Sequence, residues 1–137
     1  MAPTVNLQQL PDEYAVCLLD PAAAIPTWVP CKQAAKTFIN ISYCEDELSI
    51  VCPSKHIPAT PPKDIRIDAE WTAFKLGGTF AFDDAGVMLS FVRPLSENKL
   101  GVFVISTFHR DYLLLKNQDT AKATSYLESA GHTLSIL

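Results

Sequence analysis

The chain has 137 residues, 48% of them hydrophobic, with a formal net charge of −4 and a pI near 5.2. This length and apolar content predict a packed globular protein, either one domain or two small repeats, and argue against a disordered chain. The acidic balance and the scattered lysines and arginines argue against a nucleic-acid surface. Residues 1–13 show no basic segment followed by an apolar core, and no apolar run approaches the roughly 20 residues of a transmembrane helix, so we expect a cytoplasmic protein without membrane association.

Short apolar runs in the first half of the chain are separated by proline-rich segments. The runs predict strands over Tyr14–Asp20, Thr37–Tyr43 and Leu48–Cys52, with a further short strand over residues 65–68. Prolines at positions 21, 26 and 30 forbid a regular long helix between the first two strands. The first half is therefore predicted to be rich in strands and poor in helices.

The second half shows a more complete alternation of strand and helix patterns. These predict strands over 71–76, 102–107, 111–116 and 133–136 and helices over 84–99 and 119–130. The order strand, helix, strand, strand, helix, strand is that of ferredoxin-like folds. We therefore predict the α+β class, with two ferredoxin-like βαββαβ units and antiparallel sheets, spanning residues 1–68 and 69–137, the first with eroded helices.

Each predicted helix carries a residue that bends or ends it. In the first, Pro94 has no N–H to donate to the Ser90 carbonyl, which predicts a bend. In the second, Gly131 is the predicted stop, and His132 is interpreted as a cap that interacts with the helix dipole. The residues predicted to form the inward-facing stripes are Val87, Met88, Phe91, Val92 and Leu95 in the first helix and Ala123, Leu127 and Ala130 in the second.

The sequence shows no pattern of a catalytic or metal centre. The three histidines fall in a proline-rich loop, a hairpin turn and a helix–strand junction, and no nucleophile motif, phosphate-binding loop or dinucleotide fingerprint occurs. The acidic run at 45–47 is interpreted as a solvated turn. We therefore predict a protein that is not an enzyme and that uses neither a cofactor nor a metal. Its cysteines, interpreted as free thiols in a reducing compartment, are Cys17, Cys31, Cys44 and Cys52.

Two segments of the second half have the composition of a binding site. Gly77–Gly78 releases the chain from its strand, and Gly86 lets the backbone N–H groups at a helix start approach a small anion such as an amino-acid carboxylate. The turn Ser106–Asp111 places an aromatic ring and a carboxylate after the next strand. Either Asp84 or Asp111 would offset the positive charge of a ligand, and the ring can stack on a guanidinium plane. The two segments predict a pocket for a small zwitterion.

These segments also carry a family resemblance. The stretches 82–87, Phe-Asp-Asp-Ala-Gly-Val, and 106–111, Ser-Thr-Phe-His-Arg-Asp, resemble ACT-domain proteins related to the CASTOR arginine sensors. Leu10–Cys17 and Glu47–Pro53 are similar to small two-ACT proteins of the same family, so that the resemblance covers about residues 10–137. It implies a tandem ACT protein that binds a free amino acid, with arginine as one candidate, at an ACT–ACT interface and signals by allosteric regulation of a protein partner.

The resemblance assigns ligand contacts position by position. Asp84 stands where the sensors have a glutamate, which shortens its reach by one methylene, while Gly101 and Val102 correspond to a pair on the opposite wall, in the neighbouring ACT unit. Because the sensors have four ACT units and this chain has two, that wall is expected to come from the second subunit of a homodimer. The implied ligand-binding residues are Asp84, Ala85, Gly86, Val87, Gly101, Val102, Thr107, Phe108 and Asp111.

Simpler interpretations of the same residues stay open. Asp84 can act only as a helix cap, Gly86 can serve only close packing, Phe108 can belong to the core, and His109 can be a solvated turn residue. At the level of function, the alternatives to an amino-acid sensor are a protein-interaction module with a vestigial pocket and a detached regulatory subunit of an amino-acid biosynthetic enzyme such as aspartate kinase.

Overall fold

The computed structural model describes residues 3–30, 32, 36–78 and 85–137. Within these residues the chain forms seven strands and two α-helices, neither of which is long and apolar enough to cross a membrane. In chain order the elements are β1 (Asn6–Leu19), β2 (Asn40–Tyr43), β3 (Leu48–Pro53), β4 (Arg66–Leu76), α1 (Val87–Glu97), β5 (Phe103–Ser106), β6 (Asp111–Lys116), α2 (Thr120–Ser129) and β7 (Thr133–Ile136). They divide into two compact units: the helical unit, Met1–Leu10 with Thr72–Leu137, and the sheet unit, Pro11–Trp71.

The helical unit contains both helices and has the predicted strand–helix–strand–strand–helix–strand order from β4 to β7. Its strands lie in the order β7-β1-β4-β6-β5, and β5 and β6 form an antiparallel hairpin with Phe103 opposite Leu114. The first residues of β1 pair with β7 in parallel, with Asn6 opposite Thr133, which corrects the expectation of a purely antiparallel sheet. The predicted α+β class is confirmed.

Apolar side chains from both helices and from the sheet form the core of the helical unit. On α1 the buried positions are Val87, Phe91 and Leu95, spaced by four residues along one face. Met88, predicted for the same stripe, is 41% exposed because one step along a helix turns a side chain by about 100°. Ala130 is exposed instead of facing inward. The remaining buried members of this core are Val5, Leu7, Phe74, Leu76, Leu113, Leu115, Ala123 and Leu127.

The His132 ring binds the carbonyl group that Pro94 leaves without a helical donor. Its Nε2 lies 2.7 Å from the Ser90 oxygen, and the backbone N–H of Val5 donates to its Nδ1 over 3.1 Å. With Nδ1 as the acceptor, Nε2 carries the proton that the Ser90 oxygen accepts. The side chain is only 4% exposed and joins α1 to the start of β1. The interpretation of this imidazole as a helix-dipole cap is therefore wrong.

Backbone groups cap the end of α2 instead. Gly131 has a φ of 94°, and its N–H donates to the Glu128 oxygen over 2.9 Å. The N–H of His132 donates to the Leu127 oxygen over 3.1 Å, which completes a Schellman motif. The predicted stop at Gly131 is confirmed, because a glycine adopts this left-handed conformation without a Cβ clash.

The sheet unit is built from strands and loops. β3 pairs antiparallel with both β2 and the second part of β1, so that Ile50 lies opposite Ile41 on one side and Cys17 on the other. Burial and a hydrogen bond with Cys17 raise the pKa of the Cys52 thiol, and both thiols are free. The buried core of this unit consists of Cys17, Leu19, Val29, Leu48, Ile50 and Cys52.

Two strands are longer than the sequence pattern predicts. β1 begins at Asn6 instead of Tyr14, and β4 joins the predicted strands 65–68 and 71–76 through Glu70, which has a φ of 67°. Because the first residues of β1 pair with β7, the N-terminal ten residues lie in the helical unit. The division predicted from the sequence, 1–68 and 69–137, places these residues in the other unit.

Candidate functional site

The turn between β5 and β6 is a tight hairpin. The N–H of Thr107 donates to the Arg110 oxygen over 2.7 Å, which leaves Phe108 and His109 at the tip. The Phe108 side chain is 71% exposed, and its ring lies edge-on to His109 with the centroids 4.8 Å apart. The alternative that Phe108 belongs to the core is therefore wrong, and an aromatic face is presented at the end of the sheet.

Asp111 lies at the base of this turn, on the side of the sheet that the helices cover. The Ser106 hydroxyl donates to its carboxylate over 2.6 Å. Along β6, Asp111 alternates with Leu113 and Leu115, which pack in the core with residues of both helices. Its carboxylate is therefore directed by the strand to the helix-covered face, just beyond the last core residue.

Arg110 connects the turn to the end of β4. Its Nη1 donates to the carbonyl oxygens of Gly78 and Leu76, the latter over 3.4 Å. Between these two carbonyls, the N–H of Gly77 donates to the Asn6 oxygen over 2.8 Å. The hairpin turn and the glycine segment are thus held side by side. The sequence prediction did not include Arg110, although a basic residue inside the turn motif was the available signal.

Helix α1 begins near this same end of the sheet, because Gly86 lies beside Pro3, three residues before Asn6, whose carbonyl accepts from Gly77 at the end of β4. Gly86 is its N-cap residue, with a φ of 81°, and none of the side chains that the structure describes caps the helix. A Cβ on Gly86 would meet nothing closer than Pro3 at 3.9 Å, so the conformation and not close packing requires glycine here. Among the described residues, the first N–H of α1 that donates to a helical acceptor is that of Ser90, so the N–H groups before it have no partner within the helix.

The structure places the other implied residues of this loop differently. Ala85 is exposed, whereas the Val87 side chain is buried in the core and is not directed to a ligand. Asp84 lies outside the described residues, and the N-cap role expected for it belongs to Gly86. The structure thus brings Gly86, the turn and Asp111 to one end of the helical unit.

Gly101 and Val102 lie at the opposite end of β5. Thr107 is five residues after Val102 along an extended strand, which places the two about 17 Å apart. Val102 packs against the core, and no described atom lies within 4 Å of a Cβ built on the exposed Gly101. A single chain therefore does not bring this pair to the turn.

A separate cavity of about 590 Å³ lies between the outer faces of α1 and α2. Of the implied ligand residues that the structure describes, only Gly86 lines it. Its walls include Leu89, Arg93, Tyr126 and Ala130, and the buried His132 forms part of its lining. This cavity is thus distinct from the turn, and no sequence pattern predicts it.

The electrostatics of the site are simple. Burial raises the pKa of Tyr112, an effect that the cation of Arg110 partly offsets. Among the described residues, no group of three or more His, Cys, Asp or Glu side chains is arranged to hold a metal ion. The groups that can bind a small charged molecule at this end of the unit are the Asp111 carboxylate and the backbone N–H groups of α1.

Comparisons with known proteins agree with this architecture. Residues 66–129 match the family described as the ACT domain, and residues 12–60 match a separate family described as an N-terminal domain. The chain is 40% identical to protein Atu0741 from Agrobacterium tumefaciens, whose X-ray structure matches with a TM-score of 0.86 over 99% of this chain and 96% of that chain. This chain belongs to the same family as Atu0741 and contains an ACT domain. No curated protein matches it in sequence.

More distant structures share the fold. An aspartate kinase from Clostridium acetobutylicum matches with a TM-score of 0.63 at 12% identity, over 95% of this chain and 35% of that chain. The regulatory subunit of aspartate kinase from Thermus thermophilus matches with a TM-score of 0.57 at 8% identity, over 95% of this chain and 99% of that chain. The chain thus spans about a third of that kinase and nearly all of that regulatory subunit.

The matched ACT domain contains every residue of the candidate site. It begins with the first residue of β4 and ends with the last residue of α2. Gly86 and the 106–111 turn lie inside these limits, whereas β1 and β7 lie outside them. The ACT domain of this chain is therefore completed, in the helical unit, by a strand from the N-terminal end of the chain.

Proposed function

We propose that this chain is a non-catalytic regulatory protein whose ACT domain binds a free amino acid. One observation carries the proposal: Asp111, bound by Ser106, lies at the end of the sheet where α1 begins with N–H groups that no side chain of the described residues caps. A zwitterion needs these two kinds of group, an acceptor for its ammonium and donors for its carboxylate.

The chemistry of binding follows from the groups at this end of the unit. The N–H groups after Gly86 donate to the α-carboxylate, and the helix dipole favours its negative charge. The Asp111 carboxylate, which takes one hydrogen bond from Ser106, has acceptor sites left for an ammonium or guanidinium. The exposed ring of Phe108 can stack on a cationic side chain, a contact worth about 0.5–2 kcal/mol. Arginine is one candidate ligand, which would relate the chain to the CASTOR sensors.

A second copy of the chain would complete the site. β5 is the terminal strand in the sheet order, so its outer edge can pair with another strand. If two copies of β5 pair antiparallel about a twofold axis, with Phe103 opposite Ile105, then Val102 of the second copy lies opposite Ser106 and Gly101 lies opposite Thr107. The residues that are about 17 Å apart in one chain thereby become neighbours. We therefore propose a homodimer with the amino acid held at the ACT–ACT interface.

Binding at such an interface provides a means of regulation. An amino acid held between two units binds only their paired arrangement, so it shifts the population towards that arrangement. A protein partner that distinguishes paired from unpaired units would then respond to the amino-acid concentration. We place this activity in the cytoplasm, where free amino acids are available to the protein.

The proposal is tested by a thermal-shift screen of the full-length chain with each of the twenty proteinogenic amino acids. At a hundred times the Kd, a ligand stabilises the folded state by about 2.7 kcal/mol, which corresponds to a rise in Tm of roughly 5–10 °C. Asp111→Ala should abolish the shift with the circular dichroism spectrum unchanged. Asp46→Ala, an equal charge change in the exposed β2–β3 turn, is the matched control and should retain it. No shift with any amino acid would end the proposal.

The dimer part of the proposal has its own test. Gly101 has a negative φ and open space around it, so Gly101→Gln should leave the Tm of the unliganded protein unchanged. If a second copy completes the site, this substitution should weaken binding of the amino acid found in the screen at least tenfold. Light scattering should show that the amino acid produces a smaller fraction of dimer in Gly101→Gln than in the unchanged chain. Unchanged binding and mass would show that one copy binds alone.

The second candidate is a protein-interaction module. It is favoured by the apolar side chains on the outer face of α1, where Leu89 is 55% exposed beside the cavity between the helices. The related possibility of a detached regulatory subunit of an aspartate kinase rests on shared fold. Pull-down from a cell lysate with and without the amino acid identified in the screen separates these roles. A partner captured equally in both conditions, and lost in Leu89→Glu, would favour the interaction module.

A further inference from the structure

The end of β4 is held on three consecutive residues by two different parts of the helical unit. The carbonyls of Leu76 and Gly78 accept hydrogen bonds from Arg110, and the N–H of Gly77 between them donates to β1. β4 ends at Leu76, and Gly78 has a φ of 82°, a left-handed conformation that favours glycine. In sequence, the segment that follows leads to Ala85 and the start of α1.

Arg110 reaches this segment from the hairpin turn that carries Asp111. Among the described residues, its hydrogen bonds go to backbone carbonyls. A guanidinium has five N–H donors in one rigid plane, which lets one side chain bridge two carbonyls at once. Arg110 is therefore committed to the backbone of the glycine segment.

The strand alternation separates Arg110 from the proposed ligand. Asp111 is directed to the helix-covered face, so the neighbouring Arg110 begins on the other face, as Tyr112 does two residues later. The influence of Arg110 on the pKa of Tyr112 agrees with this placement. Arg110 thus acts on the binding groups through the backbone that it holds, and does not meet the ligand on the face of Asp111.

We propose that Arg110 is the positioning residue of the amino-acid site, an inference that rests on the proposed function. It fixes the turn, with Asp111 and Phe108, against the end of β4. The carboxylate and the ring proposed to contact the ligand are thereby held in place before the ligand arrives. Pre-organisation of this kind lowers the ordering cost of binding and so strengthens it.

The test compares Arg110→Gln, Arg110→Lys and the control Arg93→Gln in the full-length chain. Arg93 is an exposed arginine of the same unit in an i,i+4 pair with Glu97, so its loss removes the same charge away from the turn. Calorimetry with the amino acid that gives the largest thermal shift should show a Kd raised at least tenfold in Arg110→Gln. Arg110→Lys, which keeps a charged donor, should recover part of the affinity, and Arg93→Gln should bind as the unchanged chain does.

Hydrogen exchange distinguishes positioning from a general effect on stability. In Arg110→Gln the amide of Gly77 should exchange faster, while the core amides of Leu113 and Leu115 keep their protection. Loss of protection at the core amides would make Arg110 a residue of the fold and overturn the inference. An unchanged Kd in Arg110→Gln would overturn it too, with the proposed function intact. Absence of any shift in the unsubstituted chain would overturn both.

Discussion

The two units of this chain cover their sheets by different means. In the helical unit, α1 and α2 contribute Phe91, Leu95 and Leu127 to a core shared with the strands. In the sheet unit, the partly buried side chains that pack on the strands include Ile25 and Trp28 of the loop after β1. Prolines punctuate that loop at positions 21, 26 and 30 and prevent a long helix.

This difference bears on the place proposed for the ligand. Among the described residues, α-helix starts, with their unpaired N–H groups, occur only in the helical unit. That unit also holds the exposed turn with Phe108 and the carboxylate of Asp111. The sheet unit has loops where the helical unit has helices. Its described residues therefore lack the N–H donors of an α-helix start, which the proposal assigns to the amino-acid carboxylate.

The largest expected effect tests whether the two cores are independent. Phe91→Ala removes a fully buried ring from the helical unit and should lower the free energy of unfolding by about 3–5 kcal/mol, measured by urea denaturation. Ile50→Ala is the matched change in the core of the sheet unit, with an expected cost of about 2–5 kcal/mol. Hydrogen exchange should show the loss of protection in Phe91→Ala at β6 but not at β3. Equal loss at both strands would mean that the units unfold together.

The next effect concerns the imidazole bridge of the helical unit. His132→Ala leaves the Val5 N–H and the Ser90 carbonyl unsatisfied, and should lower the free energy of unfolding by about 2–3 kcal/mol. In a Pro94→Ala background the new N–H can donate to Ser90, so the cost of His132→Ala should fall by about 1 kcal/mol. His56→Ala, in the short 3-10 helix of the sheet unit, is the control and should change stability by at most about 0.5 kcal/mol. If the effects of His132→Ala and Pro94→Ala on the free energy of unfolding simply add in the double variant, the Ser90 carbonyl is not the group through which the two residues interact.

A smaller effect appears at alkaline pH. Burial raises the pKa of Tyr112 above its ordinary value, so the folded state favours the neutral phenol. The stability that this contributes is fully present below the ordinary pKa of about 10 and is lost as the pH rises through the folded pKa. Tyr112→Phe should therefore flatten the decline in Tm above about pH 10. Tyr43→Phe, at an exposed tyrosine of the sheet unit, should leave the decline unchanged.

The smallest effects are expected for the surface ion pairs, and they should be alike in the two units. Arg93 and Glu97 of α1 are both largely exposed, and Lys55 and Asp12 of the sheet unit form a comparable contact at 3.2 Å. Arg93→Gln and Lys55→Gln should each lower the free energy of unfolding by less than about 1 kcal/mol. In high salt, each variant should have the same free energy of unfolding as the unchanged chain. A larger loss in the free energy of unfolding that persists in high salt would show that the ion pair of that unit contributes substantially to its stability.

Much of the helical unit is predictable from local sequence patterns. The bounds of β6 and β7 agree with the predicted strands, and α1 and α2 lie inside the predicted helices. Periodicity suffices for α1 and α2 because each helix has one face in the core and one outside it. The predicted hairpin turn after β5 is also confirmed, whereas its role in binding an amino acid stays a prediction.

The sequence pattern was least reliable for the two strands that have residues in both units. The alternation of β1 is interrupted by Pro11, and that of β4 by Glu70 with its positive φ, so each was predicted too short or as two pieces. The candidate site shows the same limit. Thr107, Phe108 and Asp111 follow from the motif, but Val87 is in the core and Gly101 is at the other end of β5.

Local sequence alone determined the helices, the tight turns, the missing N–H of Pro94 and the stop at Gly131, because each depends on residues within a few positions of one another. Tertiary structure decided the partners that these elements acquire. His132 binds Ser90, 42 residues away, and Val5, 127 residues away, while Arg110 binds Gly78, 32 residues away. No periodicity encodes such contacts, since they exist only after the chain has brought the end of β4, the start of α1 and the hairpin turn to one edge of the sheet.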